Sequence, residues 1–159
     1  DFVASAISTG RIEILSDGTP WRPMINVKDM ARAIDWASCR NTGNGGSFLI
    51  VNAGSNKWNY QVKELAMAVQ NQLTGIDVSI NEDAELDKRS YKVDFSTFKN
   101  LSGNYYPKIS IEQTVADLFK GLQKYEFDDI DFRTSNLIRL IILKNHINNR
   151  RLDNNLNWI

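Results

Sequence analysis

With 159 residues and 42% apolar content, the chain is long enough for one compact domain with a real core. Lysine plus arginine and aspartate plus glutamate each total 19, so no long-range field favours a polyanion, and neither nucleic acid nor an anionic membrane is an expected partner. Cys39 is the only cysteine, which rules out an internal disulfide or a thiolate metal cluster and suits a reducing compartment, the cytoplasm.

Residues 1–8 read as the end of an amphipathic helix closed by Gly10, so the chain is expected to begin inside a helix, as a cut chain would. The alternation Arg11-Ile12-Glu13-Ile14-Leu15 is that of a short strand with one buried face, and Ser16-Asp17-Gly18-Thr19-Pro20 is dense turn chemistry. A second extended run is expected over residues 23–27. Asp29 is placed to cap a helix whose apolar positions Met30, Ala33, Ile34 and Ala37 share a face, ending near Arg40. After a flexible Gly43-Asn44-Gly45-Gly46 loop, residues 47–52 form a continuous apolar run of the kind expected for a strand covered on both faces.

Ala53-Gly54-Ser55 turns the chain. Val62, Leu65, Ala66, Val69 and Leu73 then trace a helix stopped by Gly75, and residues 76–80 alternate as a half-buried strand. A polar, charged loop over residues 81–90 follows. Asp94 is placed to cap a short helix through Phe98 and Leu101, and Ser110 with Gln113 makes a capping box for a longer one carrying Ile111, Val115, Leu118, Phe119 and Leu122. The spacing predicts a last helix from about Ser135 to Ile147. The longest apolar stretch, residues 137–143, is broken by Arg139 and is far shorter than the ~20 residues that cross a bilayer. Leu152, Leu156 and Trp158 in the asparagine-rich tail indicate docking onto something apolar.

Catalytic chemistry is thinly represented. His146 is the sole histidine, which leaves no basis for a multi-histidine metal site, and it reads as an ordinary surface or partly packed residue. Cys39 reads as a buried, inert thiol. There is no G-x-G-x-x-G turn between a strand and a helix, so the chain carries no dinucleotide site of its own. What remains is two arginines in loops beside strands. Arg22 precedes Pro23, which biases its backbone to an extended form, and Arg89 lies just before another extended run. Two guanidinium groups converging from separate loops clamp a diphosphate through charge-assisted hydrogen bonds. The plainer alternative is surface ion pairing, Arg22 with Asp17 or Asp29 and Arg89 with Asp87 or Asp83.

The run from Gly10 to Ile34, with Gly18, Trp21-Arg22-Pro23, Asn26-Val27-Lys28-Asp29 and an alanine-rich helix, resembles the second half of the extended short-chain dehydrogenases that act on nucleotide sugars. Val51-Asn52-Ala53-Gly54 is similar to that family's Asn-x-Gly turn, and Arg89-Ser90-Tyr91-Lys92-Val93-Asp94 to its later arginine segment. The resemblance covers most of residues 1–125. It implies an α/β fold made of small mixed sheets and five or six helices, the carboxyl-terminal substrate-binding part without the Rossmann half. It also implies a nucleotide-sugar-binding domain over residues 1–127, with residues 128–159 a helical extension packed on it.

By the same resemblance Arg22 and Arg89 bind the substrate diphosphate, and Ile12-Glu13-Ile14 lies along the nucleotide base, with Ile12 or Ile14 on its face. Core packing of the two isoleucines fits their spacing equally well. Trp21 and Tyr91 are candidate substrate-binding residues beside the arginines; the resemblance assigns no family role to Trp21, Trp58 or Tyr60, which either line a sugar pocket or pack in the core. Asn26 stands where the family has histidine. The catalytic tyrosine of the family's Tyr-x-x-x-Lys pair is not found, since Tyr60-Gln61-Val62-Lys63 has the wrong spacing. NAD or NADP is therefore expected in a longer protein, held mainly by an amino-terminal half, and no catalytic or metal-binding residue is assigned here. Expected partners are a nucleoside-diphosphate sugar and either a second copy or the chain's own amino-terminal half. The competing readings are a catalytically inactive nucleotide-binding module and a protein-interaction module.

Overall fold

The computed structural model describes residues 1–85, 87 and 89–159; Leu86 and Lys88, in the charged loop expected over residues 81–90, lie outside the described residues. The described residues form two compact units, Asp1–Glu126 and Phe127–Ile159. In chain order the first holds α1 (Phe2–Thr9), β1 (Arg11–Ile14), β2 (Trp21–Pro23), α2 (Val27–Cys39), β3 (Asn59–Gln61), α3 (Val62–Gln72), β4 (Asp77–Ile80), α4 (Ser96–Ser102) and α5 (Ile111–Lys124); the second holds α6 (Arg139–Asn148). The fold is α/β with small sheets, as expected.

Gly10 ends α1 in the left-handed region, φ 69°, and donates its N–H to the Ala6 carbonyl, a conformation that a β-carbon disfavours. The chain can then turn at once into β1, which pairs in parallel with β4 in the register Ile12 to Val78 and Ile14 to Ile80. α1, α3 and α5 pack on one another, and α1 and α3 also pack on β1. Their shared core is Val3, Ala6, Ile12, Ile14, Ala66, Val69, Leu73 and Val115. Ile12 is 0% exposed and Ile14 3%. This corrects the expectation that one of them stacks on a nucleotide base: both side chains are spent on the core. Glu13, between them, faces solvent.

A second sheet pairs β2 with β3 in antiparallel fashion, Arg22 opposite Tyr60. A second core cluster joins Ala33 and Trp36 of α2 to Phe98 of α4, with Leu49, Val51, Leu101, Tyr105 and Tyr106 packed around it. Gly54 is required by close approach: a β-carbon there would meet the Phe95 ring at 2.5 Å.

Several boundaries differ from expectation for identifiable reasons. α2 starts at Val27 because Asn26 caps it, its side chain accepting from the Lys28 N–H at 2.9 Å, so the strand lies earlier than the expected 23–27, at Trp21–Pro23. Asp29 is not the cap. It is fully buried, paired with Arg32 at 2.8 Å, and it accepts the N–H groups of Lys108 and Ile109 at 3.1 and 2.9 Å. Ser110 does cap α5 by accepting from the Gln113 N–H, but the Gln113 side chain goes forward to Asp117. Asp94 accepts the Ser96 N–H at 2.9 Å and so serves the start of α4. Cys39 is exposed, because the last turn of α2 projects beyond the core. α6 begins at Arg139, since Ser135 closes a turn by accepting the Leu137 and Ile138 N–H groups at its hydroxyl and carbonyl. Within the second unit Leu152 is buried and bridges to Trp158, whose ring lies 5.4 Å from that of His146; Trp158 and Leu156 themselves stay exposed.

The largest departure is residues 47–52, which join no strand. Leu49 and Val51 pack on the Phe98 cluster, while Phe48 and Ile50 are 79% and 84% exposed. An extended, half-apolar segment with free backbone groups is a template for association. The chain is expected to self-associate at raised concentration, and Phe48→Lys with Ile50→Lys to suppress this in analytical ultracentrifugation. A wild type that sediments as a monomer across the accessible concentration range would remove the prediction.

Candidate functional site

The antiparallel β2–β3 pair is a ledge against which residues 90–93 are laced. Asn59 does this with its side-chain amide, donating to the Val93 carbonyl at 3.0 Å and accepting the Val93 N–H at 2.8 Å, as a strand neighbour would. Further along, the Trp21 N–H donates to Ser90 Oγ at 3.0 Å and the Tyr91 N–H to the Trp21 carbonyl at 3.4 Å. These bonds join two stretches nearly seventy residues apart. Their consequence is that the segment carrying Arg89 runs beside the strand carrying Arg22.

The two arginines meet. Arg22 Nη1 donates to its neighbour's carbonyl at 2.8 Å and to the Arg89 carbonyl at 2.9 Å, while Nη2 reaches Asp87 Oδ2 at 2.5 Å. Arg89 binds the same carboxylate, Nε to Oδ1 at 3.0 Å and Nη2 to Oδ2 at 3.2 Å, and its backbone N–H also donates to Oδ1. One carboxylate therefore holds both guanidinium groups. Hydrogen bonds from the Arg89 side chain and backbone, reinforced by the charges of Arg89 and Arg22, hold the Asp87 carboxyl down to about 2, so it is ionised at neutral pH. Arg22 is 27% exposed and Arg89 84%.

Trp21 and Tyr91 flank this cluster. Lys92 Nζ lies 3.6 Å from the centre of the Trp21 ring, a cation–π contact that adds a third positive group nearby. Tyr91 is 54% exposed. Trp21 also borders, with Tyr60, Glu64, Asn71 and Glu112, a shallow hollow of about 460 Å³. Burial, helped by Glu112 and Glu64, pushes the Tyr60 hydroxyl upward, so that phenol stays protonated. Trp58 lies in the buried set and borders a hollow of about 40 Å³ with Met24 and Tyr60.

Of the residues singled out from the sequence, the structure brings Arg22, Arg89, Trp21 and Tyr91 together and assigns Ile12 and Ile14 to the core. The ion pairs expected for Arg22 with Asp17 or Asp29 are replaced by Asp87; Asp17 instead accepts the Thr19 N–H and hydroxyl. Asp87, legible in the sequence only as a surface partner of Arg89, is the carboxylate on which both arginines converge. The Asp-x-Arg spacing signalled that pairing, and nothing local signalled Arg22. No group of His, Cys, Asp and Glu that could hold a metal ion occurs among the described residues, and no helix among them is long and apolar enough to cross a membrane.

No protein-family model matches the sequence, and no curated protein matches it in sequence. Solved structures do match in fold. RMD from Pseudomonas aeruginosa complexed with NADPH aligns with a TM-score of 0.59 at 15% identity, over 79% of this chain and 43% of that one. The chain shares that fold. A GalE-like L-threonine dehydrogenase from Cupriavidus necator, in its apo form, gives 0.55 at 18% identity over 76% and 44%. A partial-consensus L-threonine 3-dehydrogenase gives 0.57 at 18% over 77% and 40%. The chain spans less than half the length of each of these structures.

Proposed function

We propose that this chain is the substrate-binding portion of an NAD(P)-dependent enzyme acting on a nucleoside-diphosphate sugar by epimerisation, dehydration or reduction, and that Arg22 and Arg89 clamp the substrate's diphosphate. The observation that carries this reading is the convergence of both guanidinium groups on a single carboxylate. Arginine pairs recognise phosphate and carboxylate oxygens by the same forked, charge-assisted geometry, so a site that holds Asp87 in this way has the donors a pyrophosphate needs. Supporting it, one of the proteins sharing the fold is complexed with NADPH and two are dehydrogenases.

In this proposal a nicotinamide cofactor, held mainly by an amino-terminal half, would supply the hydride chemistry when bound, and none of this chain's residues is assigned to hold it. Residues 1–127 bind substrate and residues 128–159 are the helical extension. Trp21 and Tyr91 would bound the nucleotide or sugar beside the clamp, with Glu13 and the β1 backbone the groups left to read a base. The role of these residues is positioning, which lowers a barrier by fixing the reacting carbon against the cofactor before the reaction. A lone, exposed cysteine and a neutral formal charge fit a cytoplasmic setting with no nucleic acid or membrane partner.

Calorimetric titration with a panel of nucleoside diphosphates and their sugars tests the clamp. Arg22→Ala and Arg89→Ala are each expected to weaken binding on the order of tenfold to a hundredfold, the range for hydrogen bonds to charged groups. Equal affinity in wild type and both variants would end the proposal.

A further inference from the structure

We propose that Asp87 is a displaceable counter-anion that sets the threshold for anion binding at the arginine pair: its carboxylate gathers Arg22 and Arg89 in the unliganded site and gives way to the phosphate oxygens of the ligand. This rests on the reading of the two arginines as a diphosphate clamp and says how that clamp is regulated. Four donors converge on the two carboxylate oxygens: Arg22 Nη2 and Arg89 Nη2 on Oδ2, Arg89 Nε and the Arg89 backbone N–H on Oδ1. A phosphate group would claim the same donors, and one donor set cannot serve both anions.

The exchange needs no opening of the core. The Asp87 side chain is 19% exposed and belongs to a loop, and Arg89 is 84% exposed, so water and ligand reach the cluster from the Arg89 side. A carboxylate tethered two residues from one arginine competes at a high effective concentration, on the order of millimolar for a short flexible link. Every anion that uses the pair is weakened by the same factor, because the fraction of molecules with free arginines multiplies each affinity. Two guanidinium groups facing one carboxylate still leave one positive charge. A single phosphate or a stray carboxylate therefore falls below useful affinity, whereas a diphosphate, with more oxygens than Asp87 can replace, stays above it. The residue filters for polyvalent phosphate without touching the ligand.

Titration of inorganic pyrophosphate and inorganic phosphate into the full chain tests this. Asp87→Asn keeps the oxygen that accepts the Arg89 N–H and removes the charge. It is expected to tighten both ligands roughly fivefold, the upper range of an exposed ion pair, with circular dichroism unchanged. In the wild type, saturation with pyrophosphate is expected to shift the Asp87 side-chain carboxyl carbon resonance, a readout that requires no variant. If Arg22→Ala weakens pyrophosphate but Asp87→Asn leaves it equal or weaker, the clamp stands and the counter-anion role falls. An Asp87 resonance that stays put at saturation overturns it as well. Pyrophosphate binding to neither wild type nor Asp87→Asn overturns both readings together.

Discussion

Asp29→Ala is expected to destabilise the unit Asp1–Glu126 by about 3–5 kcal/mol, the range for breaking a buried ion pair by removing one partner. Asp29 is fully buried and accepts from three groups: the Arg32 guanidinium one turn along α2, and the N–H groups of Lys108 and Ile109 just ahead of the α5 cap at Ser110. Arg32 also donates to the carbonyls of Asn104 and Tyr106, so a single carboxylate aligns α2, the turn before α5 and the α5 entry. Alanine would leave two backbone donors without an acceptor and the Arg32 cation without its counter-charge, held only by the two carbonyls.

Asp29→Asn retains one oxygen for the backbone donors and loses the charge facing Arg32, so a smaller loss is expected than for alanine. Urea unfolding read by circular dichroism distinguishes these outcomes through the midpoint at constant slope. A change of less than about 0.5 kcal/mol for alanine, the ordinary size of a surface substitution, would show that the carboxylate carries none of this. The prediction bears on the site because α2 begins five residues after Arg22. An unanchored α2 would loosen the strand that presents that guanidinium.

Periodicity made much of this fold legible. β1, β4, α3 and α5 each have apolar residues at the spacing their element imposes, and all four occur where that spacing places them. What spacing does not encode is which of two polar residues takes a cap, and there Asn26 and Asp29 exchanged roles: both lie near the start of α2, and only the distant Lys108 and Ile109 N–H groups decide that Asp29 turns inward. Residues 47–52 pair with no strand here for a related reason. A continuous apolar run predicts coverage on both faces, but strand pairing is supplied by other chain segments, and here only the side carrying Leu49 and Val51 finds a neighbour. Glycine in the Asn-x-Gly turn was readable as a motif, while its cause, the Phe95 ring against Gly54, lies forty residues on.

The candidate site was legible in halves. Arg22 and Arg89 each announced themselves as exposed cations beside extended backbone, and the resemblance joined them. The physical join is the lacing of Asn59 to Val93 and of Trp21 to Ser90, contacts between polar residues that obey no period. Ile12 and Ile14 illustrate the converse. Their alternation was a valid signal of a buried face, and burial is what removes them from any ligand.

Phe98→Ala is expected to cost about 3–5 kcal/mol, the range for truncating a buried phenylalanine. Phe98 is 0% exposed, its ring meets Trp36 edge-on at 5.2 Å and Tyr106 at 6.5 Å, and it ties α4 to α2. Alanine removes the ring on which Trp36 rests and the surface beneath Leu49 and Val51, leaving a void that the surrounding helices fill only partly. The loss should have a local signature as well as a global one. Residues 47–52 are fixed by packing alone, without a strand partner, so their amide hydrogen exchange and protease sensitivity should rise in Phe98→Ala before the core of α1, α3 and α5 is affected. Phe98→Leu, which keeps most of the volume, is expected to lose less stability and to retain protection there. If Phe98→Ala loosened both cores equally, the two clusters would be a single cooperative unit, and the segment carrying Phe48 and Ile50 would owe its position to the whole unit rather than to this ring.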